Sequence, residues 1–306
     1  MPAFAILIPV GSGAVQIARL IDLLDAVRIY EGRADYRVYL VDDGADLGSA
    51  LTRLPGGERC RIVLNPRKGR GNGWAGGTAV GTLTGLKRIW DSGERYDFVL
   101  RVDTDALVIA PFADRIRRIF RDLPAAGVIG SVRYVREPEQ VLRDTAQMAK
   151  AVDKLARRIT VWRRTPIGLP FFQASVFPGS RQIRNVIQRA RSCGHRVGEQ
   201  CCAGGLALPA RTLEAFATRG FLRRPLNWLR TPLCDDFVLG LMIKACGLQI
   251  RDCSDPGQPF AVRHQGLPDC PERLADAGYA IIHSLKDRND LKEESVRDFF
   301  RRRRHS

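Results

Sequence analysis

Tyr96-Asp97-Phe98-Val99-Leu100-Arg101-Val102-Asp103-Thr104-Asp105 is the stretch on which the reading of this chain turns. A short apolar run ending in polar residues reads as a buried strand. Its last residues place two carboxylates at i and i+2, which on an extended chain point to the same side. The same grammar recurs upstream. Phe4–Val10 is an apolar strand, and Val15–Tyr30 carries Ile17, Leu20, Ile21, Leu24 and Val27 at helical spacing. Tyr36–Val41 is a second strand ending in Asp42-Asp43-Gly44, and Arg61–Leu64 a third, followed by a glycine-rich loop and a helix through Trp90. Downstream, Phe112–Leu123 reads as a helix and Gly127–Val132 as a fifth strand. Strands alternating with helices predict an α/β fold, a mostly parallel central sheet flanked by helices. Such sheets bind ligands beyond the carboxyl ends of their strands. Pro9–Gly13, Asp42–Gly44, Pro66–Gly73 and Asp103–Asp105 all fall at those ends.

The second half is less regular. Residues 138–160 form a basic helix candidate, Thr165–Pro178 is rich in proline and aromatics, and Arg181–Cys193 reads as a helix. Gly204-Gly205-Leu206-Ala207-Leu208-Pro209 gives a short strand, Asp235–Cys246 an amphipathic helix, and residues 291–304 a basic helical tail. There is no repeat and no low-complexity linker, so the halves are expected to share one extended sheet.

A chain of 306 residues can bury a large core, and 45% hydrophobic with 27% charged residues exclude wholesale disorder. The net charge of +16, mostly arginine and including Arg301-Arg302-Arg303-Arg304, favours anionic partners: nucleotide diphosphates, acidic glycans, an anionic membrane face or nucleic acid. A solvated basic surface is the plain competing reading. No apolar run reaches the roughly 18–20 residues of a membrane span. Phe4–Val10 followed by Gly-Ser-Gly-Ala imitates a signal peptide, but the first cation is Arg19, so a buried strand and a cytoplasmic protein are expected. Eight cysteines make no CxxC pair, and they read as reduced thiols, the adjacent Cys201 and Cys202 included.

Several residues could carry chemistry. Asp103 and Asp105 suit a hard divalent cation, Mn²⁺ or Mg²⁺, which takes carboxylates together with substrate phosphates. A carboxylate at Asp42 or Asp43 could accept a hydrogen bond from a base N–H or a ribose hydroxyl, with Pro9 and Val10 at the neighbouring strand end. The loop Arg67-Lys68-Gly69-Arg70-Gly71-Asn72-Gly73 offers Lys68, Arg70 and Asn72 on backbone that can approach a diphosphate closely, just before a helix N-terminus. It is neither a P-loop nor a G-x-G-x-x-G turn. Asp235 and Asp236 open a helix, where acidic residues also serve as caps; Asp236 is the better candidate for a general base acting on a hydroxyl. His264 or His283 could complete a metal shell.

Three of these pieces resemble GT-A glycosyltransferases. The first strand with Val41-Asp42-Asp43-Gly44 is similar to the family 2 nucleotide-binding start, and Tyr96–Asp105 to the metal motif. Asp235-Asp236-Phe237-Val238-Leu239-Gly240 resembles the Glu-Asp-Val-x-x-Gly helix start of the β-1,3-glycosyltransferase/fringe-like group. The resemblance implies a GT-A fold, with residues 1–132 as a nucleotide-sugar-binding half, 133–290 as the acceptor-binding and catalytic half, and 291–306 as a basic tail. It also implies a nucleotide-diphosphate sugar bound at Asp42 or Asp43, a divalent metal on Asp105 with Asp103 supporting, and an inverting transfer with Asp236 as base. Ile282-His283-Ser284-Leu285-Lys286 resembles the late element that supplies a metal histidine, which favours His283 over the reserve His264 and places Lys286 near the diphosphate. Two departures stand out: Asp235 replaces the usual Glu, and the family 2 Gln-x-x-Arg-Trp signature is absent.

The expected acceptor bears a hydroxyl and is a glycan, a lipid-linked intermediate or a small molecule. The 138–160 helix and the arginine tail suggest peripheral contact with an anionic membrane at its inner face. A sugar-phosphate nucleotidyltransferase shares the sheet and the carboxylates, but it needs a cationic glycine-rich loop after the first strand, and Gly11–Val15 has no cation. A nucleic-acid-binding protein would explain the charge, yet the basic segments lack interleaved aromatics and any known motif, so no nucleic acid is expected.

Overall fold

The computed structural model describes residues 3–132, 138–156, 160–164, 170–174, 180–196, 198–287 and 291–306. Its first half alternates as the pattern predicts: β1 (Phe4–Gly11), α1 (Ala14–Glu31), β2 (Tyr36–Asp43), the one-turn α2 (Leu47–Ala50), β3 (Cys60–Leu64) and α3 (Gly76–Asp91). Then come β4 (Phe98–Val102), the two-residue β5 (Leu107–Val108), α4 (Ala113–Asp122) and β6 (Ala126–Gly130). The second half contributes α5 (Pro138–Ala156), β7 (Thr160–Arg164), β8 (Pro170–Ala174), α6 (Ser180–Ser192), β9 (Gly205–Pro209), α7 (Ala210–Thr218) and α8 (Asp235–Ala245). It ends with β10 (Gln249–Asp252), β11 (Phe260–Val262), α9 (Pro271–Asp276), β12 (Ile281–His283) and α10 (Glu293–His305). Residues 157–159 of the basic helix candidate, and 165–169 with 175–178 of the aromatic stretch, lie outside the described residues.

Seven strands form one sheet in the order β10-β6-β9-β4-β1-β2-β3. All neighbours pair in parallel except β9, which runs antiparallel to both β4 and β6. The sheet is therefore mostly parallel, and strands from both halves belong to it. β1 and β4 are buried along their whole length or nearly so, as expected for central strands covered on both faces. Helix α3 lies against the sheet at Gly85, where a Cβ would stand 2.2 Å from a methyl of Leu7. A second sheet, β11-β12-β5, lies on the site side: β12 runs parallel to β11 and antiparallel to β5. Both β5 and β12 are too short to show a period, which is why the sequence pattern leaves them invisible.

The basic tail is docked onto the domain. Val296 and Phe300 of α10 enter the core beside Leu20, Leu23 and Leu24 of α1. Arg297 and Arg304 reach the buried Asp22 of α1 at 2.7 and 2.6 Å. Two of the tail's cations are thus internal counter-ions, and Arg302 and Arg303 are left on the exposed surface. Among the described residues no helix is long and apolar enough to cross a membrane.

Candidate functional site

Strand β4 ends at Val102, and Asp103 and Asp105 follow it at the carboxyl end of the sheet, so a turn rather than an extended chain sets how the two carboxylates meet. The turn after it is held from two sides: the Ala106 amide donates to the Asp103 carbonyl at 3.1 Å, and the Leu285 amide to the Asp105 carbonyl at 3.0 Å. That second bond brings the end of β12 alongside, 180 residues later in the chain. As a result Asp103, Asp105 and His283 each present a ligand atom within 4.8 Å of the others. His283 Nε2 lies 3.3 Å from Asp105 Oδ2 and 3.7 Å from Asp103 Oδ2. Its Nδ1 is 2.5 Å from the Arg263 carbonyl, so that nitrogen carries the proton and Nε2 is the one aimed at the carboxylates. Close approach of Gly204 fixes the ring from behind, since a Cβ there would sit 2.2–2.4 Å from three ring atoms.

The electrostatics follow from burial and pairing. Burial alone would raise the Asp105 carboxyl, but His283, Lys286 (Nζ at 3.1 Å) and the Ser284 hydroxyl (2.7 Å) hold it well below the ordinary carboxylate range. Asp103 is raised: burial and the charge of Asp105 outweigh the Arg101 guanidinium beside it. Burial would lower His283, and the two aspartates overcome that and raise it.

Arg101 ties this cluster to the second carboxylate pair. Its side chain is only 2% exposed; one nitrogen meets Asp103 Oδ1 at 2.8 Å and the other Asp235 Oδ2 at 2.7 Å, and it also donates to the Ala203 carbonyl. Asp235, 4% exposed, further accepts from the Thr82 hydroxyl at 2.7 Å. Its oxygen is therefore committed to holding α8 against β4 and α3. Asp236, one residue on, lines the cleft with it. Burial, then the charge of Asp235, pushes its carboxyl up to about 6, although the Cys234 thiol (2.7 Å) and the Phe237 amide (2.8 Å) donate to it.

The cleft encloses about 440 Å³, a size suited to a nucleotide-sized ligand. Pro9, Val10, Asp43, Asn65, Arg67, Trp74, Asp236, His283 and Lys286 all line the cleft. Asp42 is turned away: its two oxygens accept from the amides of Gly44 (2.9 Å), Ala45 (2.6 Å) and Leu47 (3.0 Å), so it shapes the turn after β2. Asp43 faces the cleft, with Arg67 Nε at 2.7 Å. In the glycine-rich loop, Lys68, Arg70 and Asn72 are exposed and off the cleft wall, and Arg67, Gly73 and Trp74 line it. Arg70 bonds the Arg67 carbonyl, and Asn72 accepts from the Trp74 amide, so both serve the loop's own shape. Lys286 lies 5.4 Å over the Trp74 ring, which is itself 77% exposed. His264 lines the cleft at an exposed position and is not in the cluster of potential metal ligands.

Arg101, Arg67, Trp74 and Ser284 are the site residues that sequence reasoning passed over. Arg101 did leave a signal. A cation inside an otherwise apolar strand must find a buried anion, and here it finds Asp103 and Asp235.

No family model matches the sequence, and no curated protein matches it. Solved structures of glycosyltransferases do resemble it. An active-site mutant of LgtC is similar over 96% of this chain and 94% of its own, at 12% identity and a TM-score of 0.48. The galactosyltransferase LgtC in complex with donor and acceptor sugar analogues is similar over 78% of this chain and 70% of its own, at 14% identity and a TM-score of 0.41. The mannosyltransferase PcManGT from Pyrobaculum calidifontis, in complex with GDP-Man and Mn²⁺, is similar at 16% identity and a TM-score of 0.36 over 72% of this chain. The chain spans 47% of the length of PcManGT. What the cleft can do is set by its own residues.

Proposed function

We propose that the protein is a metal-dependent glycosyltransferase that moves a sugar from a nucleoside-diphosphate donor to a hydroxyl acceptor with inversion at the anomeric carbon. The observation that carries the reading is a single cleft holding both an Asp103–Asp105–His283 cluster and a separate carboxylate, Asp236, raised to about 6. The donor set fits Mn²⁺ or Mg²⁺: two carboxylates and one imidazole nitrogen whose orientation a backbone carbonyl fixes. Bound there, such an ion would neutralise charge on the departing diphosphate.

The remaining roles belong to the chain. Pro9, Val10 and Asp43 receive the nucleoside, with Arg67 holding the Asp43 carboxylate in place. Lys286 brings a cation beside the diphosphate. Asp236 takes the acceptor hydroxyl proton as the acceptor oxygen attacks the anomeric carbon; the bond from that carbon to the diphosphate oxygen breaks, and its electron pair leaves with the diphosphate. A base near 6 is ionised at neutral pH yet basic enough to share a proton in the transition state. Asp235 keeps the α8 N-terminus in register through Arg101 and Thr82. A thermal-shift panel of nucleoside diphosphates and nucleotide sugars, with and without Mn²⁺, tests the reading; stabilisation by none of them would remove it.

A further inference from the structure

We propose that Arg297, on the C-terminal helix, is a positioning residue for the metal motif: by holding the Thr104 carbonyl it sets how Asp103 and Asp105 present themselves to a divalent cation. This deepens the metal reading above and rests on it. The side chain is buried, and each of its three nitrogens meets a different partner. Nη1 reaches Asp22 Oδ2 at 2.7 Å, Nε reaches Glu293 Oε1 at 2.8 Å, and Nη2 donates to the Thr104 carbonyl at 3.2 Å. That carbonyl belongs to the residue between the two carboxylates, in the peptide that links Thr104 to Asp105. The carbonyls on either side of it are bonded to Ala106 and Leu285, so Arg297 supplies the corresponding bond for the middle one.

The anchor is itself fixed. Asp22 sits on α1, is 6% exposed, and also receives Arg304 at 2.6 Å. Burial would raise its carboxyl, but Arg297 and Arg304 hold it below its ordinary value, so it stays ionised beside them. Thr104 is buried as well, and its hydroxyl meets Gln16 of α1. The arrangement makes α1 and α10 a strut under the turn. It also accounts for part of the arginine-rich tail, whose buried members point inward to this anchor. Lysine could keep one ionic contact here but has one nitrogen where three are used.

Arg304 provides the control. It bonds Asp22 and Asp25 (3.1 Å) and docks the same helix, while Arg297 alone of the two reaches Thr104. The experiment titrates Mn²⁺ into the full chain and follows the free ion by electron paramagnetic resonance, with melting temperatures measured alongside. For Arg297→Lys we expect a folded protein whose Mn²⁺ affinity falls about tenfold, as for other outer partners of metal ligands. For Arg304→Lys we expect a comparable loss of melting temperature with Mn²⁺ affinity within about twofold of wild type. Equal weakening in both variants, or an Arg297→Lys affinity indistinguishable from wild type, overturns the proposal. Should Arg297→Lys not fold, Asp22→Asn loosens the same anchor and must also weaken Mn²⁺ binding. Wild-type protein that binds no Mn²⁺ removes the metal reading itself; wild-type binding that Asp105→Ala abolishes and Arg297→Lys leaves intact removes only this inference.

Discussion

Replacing Arg101 by methionine removes the cation that joins the two carboxylate pairs. Its guanidinium is 2% exposed and stands 2.8 Å from Asp103 and 2.7 Å from Asp235, itself 4% exposed. Methionine fills much of the volume but leaves Asp235 as a buried carboxylate held, among the described residues, by the Thr82 hydroxyl. Breaking a buried pair by removing one member costs about 3–5 kcal/mol, because the orphaned charge must stay desolvated or take up a proton. Set against the ~5–15 kcal/mol that stabilise a domain, this is large but survivable. The assay is urea unfolding of wild type, Arg101→Met, Asp235→Asn and the double variant. Because the residues touch, the cycle should give a coupling energy of about 2 kcal/mol or more, with the double variant more stable than Arg101→Met alone. A cost below about 1 kcal/mol for Arg101→Met, or additive effects in the double variant, would refute the bridging role.

Other outcomes follow from the same geometry. Asp236→Asn should keep Mn²⁺-linked nucleotide binding and lose about 10²–10⁴-fold in transfer rate. In wild type the base must be ionised, so kcat should fall as pH drops below about 6 and level off above it; a flat profile from pH 5 to 8 places the base elsewhere. Gly204→Ala should press on the His283 ring, costing about 1–3 kcal/mol in unfolding experiments and weakening Mn²⁺ binding beyond what the stability loss explains. Asp42→Ala and Asp43→Ala should part company. The first removes three backbone partners and lowers stability by about 1–3 kcal/mol with nucleotide affinity of the folded protein unchanged, and the second lowers nucleotide affinity by isothermal titration.

The parallel half of the sheet was legible because its strands are long enough to show an apolar run and a polar end. The polar ends of those strands pointed to the cleft: Asp43, Asp103, Asp105, Asp236 and His283 line it together. Three things were not legible. The choice between Asp42 and Asp43 depends on which carboxylate the turn amides claim, and an Asp-Asp-Gly sequence permits either. In the glycine-rich loop the inward cation is Arg67, paired with Asp43 from a different strand end, and Lys68 and Gly69 take left-handed backbone that no strand or helix period reveals. The tail's charge suggested an anionic surface partner, while Arg297 and Arg304 have internal partners on α1 that lie some 275 residues away in sequence. Long-range ion pairs leave no local periodicity to read.

The most direct test of the central claim compares wild type with Asp105→Ala, melting each with UDP or GDP and their sugars in the presence and absence of Mn²⁺. A ligand at 100 times its Kd stabilises the folded state by about 2.7 kcal/mol. The account predicts that at least one nucleotide raises the wild-type melting temperature only when Mn²⁺ is present, and that Asp105→Ala abolishes the rise. Nucleotide stabilisation that is equal without metal, or that survives in Asp105→Ala, would contradict it.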